Sequence, residues 1–457
     1  MQMLKCKEIV EATNGKLVSG NMETVFAGIC TDSRKINKGD IFIPIIGSNF
    51  DGHDFIDAAL QGGALGTVTD RDIYVSGDAV VIKVENTTRA LGDIAAYYRQ
   101  KFHIPFVGIT GSVGKTSTKD MVASVLEQKF NVLKTEGNFN NEIGLPLTLL
   151  KLESYHEAGV IEMGMSNFGE ISRLSSITRP DIVIITNIGM SHIEKLGSRQ
   201  NILKAKMEIF DGLNKNGLVI LNGDDNLLYG LKGLLPFRTV FYGMDEGMDY
   251  HAYNIETAGE KGTRFRITIG NDDCEVFVPV PGVHNVYNAL AAIAAGVELK
   301  VPVDKIIKGI EAFVPGKMRL NIISSRGMKI INDVYNASPH SMKAAIDVLK
   351  EISGDSRKIA VLGDMLEMGE WASDAHAEVG EYAFLSNIDY IITVGENAKN
   401  IATGSINAGM KPDRIFSFRN NKESISFLKG FVKPGDTILV KGSRGMKMEE
   451  IVESLLE

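Results

Sequence analysis

Residues 106–126, FVGITGSVGKTSTKDMVASVL, constrain the fold of this chain more than any other segment. An apolar, β-branched run leads into a turn containing Gly111 and Gly114, and the turn leads into a helix-forming run. Strand, glycine turn and helix in that order begin a unit whose next strand must lie parallel to the first, so the segment demands an open α/β sheet. The same order makes a phosphate loop. Gly111 and Gly114 let the N–H groups around Ser112, Val113 and Ser117 converge on phosphate oxygens at a helix N-terminus. Lys115 then reaches the β and γ phosphates, and the Thr116 hydroxyl binds magnesium. The common spacing G-x-x-x-x-G-K-[ST] would put its first glycine at Ile109, whereas here Gly108 stands one residue earlier. The strand-to-helix setting and the Gly-Lys-Thr still predict ATP or GTP binding.

The alternation extends well beyond the loop. From Phe106 to about Asp225, the apolar runs PFVGIT, AGVIEMGM, DIVIITNIG and GLVILNGDD alternate with helical stretches, the pattern of a doubly wound sheet. Between Thr239 and Pro281 the pattern changes to strands with hairpin signals, which reads as a β insertion, and the helical runs HNVYNALAAIAAGVEL and DKIIKGIEAF close the unit. A second alternation begins after residue 316, with MKIINDVY, KIAVLGDM, DYIITVG, RIFSF and DTILVKGS as its strands. Before about Gln100, short β-rich pieces mix with turns and a short helix. The chain has 457 residues, length for about three domains. The expected organisation is α/β: a mixed α/β N-terminal domain (1–103), a phosphate-loop doubly wound central domain with a β insertion (104–315), and a Rossmann-like C-terminal domain (316–457). Ligands of such sheets sit at the carboxyl ends of strands.

Composition excludes several classes. With 44% hydrophobic and 23% charged residues the chain is a folded globular one rather than a disordered one. A net charge of −8 argues against wrapping nucleic acid or lying on anionic lipid. Cys6, Cys30 and Cys274 are few, odd in number and far apart, so they outline neither a disulfide framework nor a zinc site. A reducing compartment, the cytoplasm, fits them. No apolar run reaches the roughly 18 residues of a membrane span, and the N-terminus lacks the apolar core of a signal peptide.

Three further residues carry candidate chemistry. Glu162 ends a strand, where a carboxylate can hold magnesium beside a nucleotide; His192 follows another strand in the loop GMSH; Lys206 lies in NILKAKMEIF. Taken singly they also read as a solvated acid, a surface histidine and a helix lysine.

Together with the blocks TDSRKINKGDIFIPIIG, TEGNFNNEIGLPLTLL, NIGMSHIEKLGS, AKMEIF, HNVYNALAA, PGKMRL, DVYNASPHSMKAAIDVL, LGDMLEMGE and KGSRGMKMEE, they give the chain its resemblance to the Mur ligases. These are ATP-dependent amide-forming enzymes that build the peptide of bacterial cell-wall precursors, and the resemblance runs over essentially the whole chain. Within the family the blocks most resemble the branch that adds D-alanyl-D-alanine to a UDP-muramoyl tripeptide, which is the activity the resemblance implies. The resemblance implies that Thr116 and Glu162 hold one magnesium ion. A second is implied for His192 and a carbamate that CO2 forms on Lys206. The carbamate is chemically reasonable, because only a neutral amine adds CO2 and its product is an anionic oxygen ligand.

The resemblance further implies that Asn285 and Asn288 lie against adenine, that Arg319 points to the phosphates and that Asp333 reaches ATP from the C-terminal domain. Ser33, Arg34, Asn49, Phe50 and His53 are implied for the uridine diphosphate sugar, and Asn138 and Asn141 for the muramoyl peptide. Asn336, Ser338, Pro339, Ser443 and Arg444 are implied for the incoming dipeptide. Any of these polar residues also suits a turn or a helix cap. The expected protein is a monomer with small-molecule substrates and no nucleic-acid or membrane partner. Rival readings are a ligase adding a different amino acid or glutamate, and a nucleotide-driven switch.

Overall fold

The computed structural model describes residues 1–47, 49–75 and 77–457. Its centre is a nine-stranded sheet. Strand Phe106–Thr110 lies between Ala158–Glu162 and Ile182–Ile185, parallel to both. Val132–Lys134 continues the sheet beyond Ala158–Glu162, and Leu218–Asn222 and Arg238–Gly243 continue it on the other side. The strands Phe106–Thr110, Ala158–Glu162, Ile182–Ile185 and Leu218–Asn222 are buried along their whole length. That follows from helices covering both faces of a parallel sheet, and it explains why these segments read as unbroken apolar runs.

The β insertion is the far edge of the same sheet. Tyr250–Thr257, Thr263–Ile269 and Asp272–Val278 form an antiparallel meander, and Thr263–Ile269 alternates buried and outward residues as a strand with one wet face must. Helix His284–Glu298 then returns across the sheet and packs on Lys115–Leu126, the helix after the phosphate loop. Helix Val303–Glu311 presses on that same helix so closely that a Cβ on Gly309 would lie 2.6 Å from Val125 Cα.

The C-terminal sheet has six strands, five of them parallel. The sixth, Asn321–Ser325, pairs antiparallel with Met328–Asp333. The sequence reading placed the first strand of this unit at Met328 and missed Asn321–Ser325. Its turn, Arg326-Gly327, has both residues at positive φ (+50° and +74°), the geometry of a two-residue hairpin loop, but arginine in the first position hides the signal.

In the N-terminal unit, Gly28–Cys30, Asp40–Phe42, Gly66–Thr69 and Val80–Lys83 form a parallel sheet edged by the antiparallel Lys16–Ser19. Helix Thr87–Arg99, capped by the Asn86 side chain, fastens this unit to the central one. Tyr98 is fully buried; its hydroxyl donates to the Leu152 carbonyl at 2.7 Å and accepts from Gln2 N–H at 2.6 Å. Arg99 donates to the Thr178 carbonyl at 2.9 Å and lies 3.9 Å over the Phe106 ring. The N-terminal and central units therefore share one continuous apolar core. No helix among the described residues is long and apolar enough to cross a membrane.

Tyr98→Phe leaves the buried Leu152 carbonyl without its donor and should cost about 1–3 kcal/mol of unfolding free energy. Denaturant titration should show the loss as a lower midpoint in a transition that the N-terminal and central units still share.

Candidate active site

The phosphate loop sits where the strand order reverses, since the neighbours of Phe106–Thr110 come later in the chain on both sides. Its carboxyl end is thus a topological switch point, the usual ligand crevice of such sheets. Here a cavity of about 680 Å³ opens between the central and C-terminal units. Ser112–Ser117, Asn138, Asn141, Glu162 and His192 line it from the central unit. Asn285 and Asn288 add the adjoining helix, and Arg319, Asp333, Asn336 and Ser338 line the C-terminal side.

The loop is braced from the next strand end. Asn187 accepts the Val113 N–H on its side-chain oxygen at 3.0 Å and donates to the Val113 carbonyl at 2.9 Å, while its own carbonyl accepts the Ser112 N–H at 3.0 Å. Thr186 Oγ1 donates to the same Val113 carbonyl at 2.6 Å. Gly111, at φ +151°, must be glycine because a Cβ would lie 1.9 Å from Thr186 Oγ1. This corrects one expectation. The Ser112 and Val113 amides serve the loop itself, and the donors left for phosphate are the amides of Gly114 to Ser117, at the start of the helix where N–H groups lack intrahelical partners.

Glu162 is 2% exposed and doubly held: Thr116 Oγ1 donates to it at 2.8 Å and Asn140 Nδ2 at 2.8 Å. Arg319 in turn donates to Thr116 Oγ1 at 3.0 Å while stacked 4.1 Å over the Tyr335 ring. Its neighbours Met318 and Leu320 both have positive φ (+64° and +49°), a kink that turns Arg319 into the cavity from the segment joining the two units. A hydroxyl and a carboxylate side by side on the phosphate loop suit one magnesium ion. Among the described residues no three His, Cys, Asp or Glu side chains converge on a metal position.

The amines are unusual. Lys115 folds back to donate to the Gly111 carbonyl at 2.9 Å, and burial pushes its pKa down, opposed by Glu162 and assisted by Arg319. Lys206, in helix Arg199–Met207, is 2% exposed, not the solvated helix lysine its sequence context also allowed. Burial, then the charge of Lys115, drives its pKa well below the ordinary lysine value. His192, at φ +63°, is also pushed down, by burial first, with the Glu367 carboxylate opposing and the charges of Lys115 and Lys206 assisting. A neutral imidazole and a neutral amine are the forms that can bind a cation and add CO2 respectively.

On the opposite wall, Asn285 donates to the Pro281 carbonyl at 2.8 Å and accepts from Asn288 at 3.0 Å, and Thr118 donates to Asn288 Oδ1 at 2.9 Å. Asp333 is ion-paired to the buried Lys441 at 2.5 Å and accepts the Leu320 N–H at 3.2 Å, so it stiffens the joining segment. Lys441 also donates to the Asn336 carbonyl at 2.8 Å. Ser338 caps helix Pro339–Ser353, with Pro339 buried in its first turn.

Several expected site residues stand elsewhere. Ser443 is buried outside the cavity, its hydroxyl accepting the Leu366 N–H at 2.9 Å, and Arg444 pairs with Glu449 at 2.8 Å. Both belong to the turn after Thr437–Lys441, and Arg444 also approaches Met318 Sδ at 3.8 Å. Ser33, Arg34 and Asn49 lie on the N-terminal unit apart from the cavity, and Arg34 is exposed and paired with Asp32 at 2.8 Å. Phe50 is exposed. The His53 side chain is only 3% exposed, its two ring nitrogens facing Asp51 at 2.7 Å and Asp70 at 3.0 Å. Asn140, Asn187 and Lys441 were missed. Asn140 alone carried a signal, standing between the two asparagines chosen from NFNNE.

Comparison with known proteins fits this geometry. Residues 25–99 match the Mur ligase catalytic domain, 109–296 the Mur ligase middle domain, and 318–444 the Mur ligase glutamate ligase domain. This three-part phosphate-loop α/β chain belongs to the Mur ligase family. A Bacillus subtilis relative named UDP-N-acetylmuramoyl-tripeptide–D-alanyl-D-alanine ligase is 42% identical over 454 residues, 99% of this chain and 98% of its own. The crystal structure of MurF from Acinetobacter baumannii superposes with a TM-score of 0.93 at 31% identity, covering 100% of this chain and 99% of that one. MurF ligase from Thermotoga maritima in complex with ADP superposes at 0.83 with 30% identity, over 93% of this chain and 96% of that one.

Asn187→Ala should loosen the phosphate loop without emptying the cavity. Calorimetric titration should show ADP affinity falling about tenfold, the equivalent of one net hydrogen bond, with the unfolding midpoint lowered only modestly.

Proposed function

We propose that this chain is an ATP-dependent ligase that joins D-alanyl-D-alanine to UDP-N-acetylmuramoyl-tripeptide, releasing ADP and phosphate, in the synthesis of peptidoglycan precursor. The observation that carries the reading is the cavity in which a phosphate loop, a held carboxylate, the Lys115 amine and His192 meet the wall of the C-terminal unit, with the buried Lys206 amine near enough for its charge to act on His192. Full-length relatives named for this activity support it. The units divide as 1–103 for the uridine diphosphate sugar, 104–315 for ATP and 316–457 for the dipeptide. The protein acts as a monomer in the cytoplasm.

A carboxylate is a poor electrophile, so the terminal carboxylate of the tripeptide first attacks the γ phosphorus of ATP, giving an acyl phosphate and ADP. The dipeptide amine then attacks the acyl carbon and phosphate leaves. The obstacle in the first step is repulsion between two anions. Lys115, Arg319 and the amides of Gly114 to Ser117 counter it from fixed positions, which avoids reorganisation during reaction. Thr116 and Glu162 would hold one magnesium ion, and His192 with a carbamate on Lys206 a second. Magnesium there would neutralise triphosphate charge and polarise the γ phosphoryl group. Asn285 and Asn288 flank the adenine, while Asn138 and Asn141 guide the muramoyl peptide. Asn336, Ser338 and Pro339 shape the entry of the dipeptide. Closure of the C-terminal unit over bound ATP keeps water from the acyl phosphate.

The deciding experiment measures ADP release with UDP-muramoyl-tripeptide present. Release should require D-alanyl-D-alanine; equal release with single amino acids would indicate a different ligase, and slow release without any amine a switch. Lys206→Ala should lose nearly all turnover and regain part of it with added short carboxylates. Full activity in that variant would overturn the role of Lys206.

A further inference from the structure

The contact between His192 and Glu367 joins two units that the sequence places 175 residues apart. Glu367 lies in the loop after strand Lys358–Gly363 of the C-terminal sheet, and this loop docks on the central unit beside the cavity. The Glu367 carbonyl accepts the Glu194 N–H at 3.4 Å, and a Cβ on Gly369 would lie 3.1 Å from Glu194 Cβ. With the loop so seated, Glu367 Oε2 stands 2.5 Å from His192 Nδ1, an ion-pair distance at which a turn of the carboxylate aligns the hydrogen bond. Nδ1 is shut off from solvent and, with the carboxylate turned as it stands, makes no aligned hydrogen bond. Nε2 makes no hydrogen bond to protein among the described residues, and His192 lines the cavity. Both residues are held at positive φ, +63° and +62°, a backbone conformation that bulky side chains adopt only when the surroundings impose it.

The two nitrogens of an imidazole are distinct: a carboxylate on Nδ1 keeps the proton there, turns the ring and leaves the Nε2 lone pair for a cation. We infer that Glu367 is a positioning residue for the second magnesium ion. Docking of the C-terminal unit delivers its carboxylate to Nδ1, fixes the His192 tautomer and ring, and so makes that ion's affinity depend on closure. By linkage the ion must favour the docked arrangement to the same degree. The inference rests on the reading of His192 as a metal ligand given above.

Manganese binding to the full chain, saturated with β,γ-imido-ATP and UDP-muramoyl-tripeptide and followed by electron paramagnetic resonance, tests it. The unaltered protein should bind two ions. Glu367→Ala should weaken the second by 10- to 100-fold, the usual effect of losing an outer partner of a metal-bound histidine. The first ion and the nucleotide should keep their affinities, which also shows the variant folded. Glu367→Gln, which can still accept from Nδ1–H, should fall between. Turnover of the alanine variant should recover as magnesium is raised. Two ions of unchanged affinity in Glu367→Ala would overturn the inference alone, leaving a docking contact with no bearing on metal. One ion in the unaltered protein would overturn the two-metal reading and this inference with it.

Discussion

Two amines, the half-buried Lys115 and the fully buried Lys206, repel each other while one buried carboxylate, Glu162, opposes that charge at Lys115 alone, and the rest of the site is arranged around that imbalance. An ammonium ion taken out of water without a partner costs several kcal/mol. Among the described residues no carboxylate acts on Lys206 to offset this, so the amine is held toward its neutral form. The missing negative charge has to come from outside. A triphosphate on the loop and CO2 on Lys206 are the proposed suppliers, and both convert an unfavourable empty site into a balanced full one. The net charge of −8 is no obstacle in this setting, because Arg319, Lys115 and the free helix amides make the attraction local.

The fold places these groups with little freedom. Three neighbouring parallel strands end at the cavity: Phe106–Thr110 in the phosphate loop, Ala158–Glu162 in the held carboxylate, and Ile182–Ile185 in the Thr186-Asn187 brace. Their register fixes the loop against Glu162 on one side and Asn187 on the other. Arg319 arrives from the segment joining the central and C-terminal units, so the same residue that touches Thr116, the proposed magnesium ligand, also ties the third unit to the loop.

The parts legible in the sequence are those encoded locally. Glycines, lysine and threonine of the loop stand within seven residues, from Gly111 to Ser117, and apolar runs mark buried parallel strands wherever they occur. Glu162, His192 and Lys206 were found only through their order along the chain, since nothing local marks Lys206 as buried. Asn187 escaped because its role depends on strand register, and Glu367 because its contact exists only when two units dock. The surroundings of His53 and Ser443 were equally hidden, because the carboxylate of Asp70 beside His53 and the Leu366 N–H on Ser443 come from distant parts of the chain.

The proposed carbamate on the buried Lys206 is the centre of the account. Carbon-13 NMR of the full protein equilibrated with labelled bicarbonate tests it directly. A carbamate resonance should appear in the unaltered chain, strengthen with magnesium and nucleotide, and vanish in Lys206→Ala. No such resonance under saturating bicarbonate, or one that survives the substitution, would contradict it.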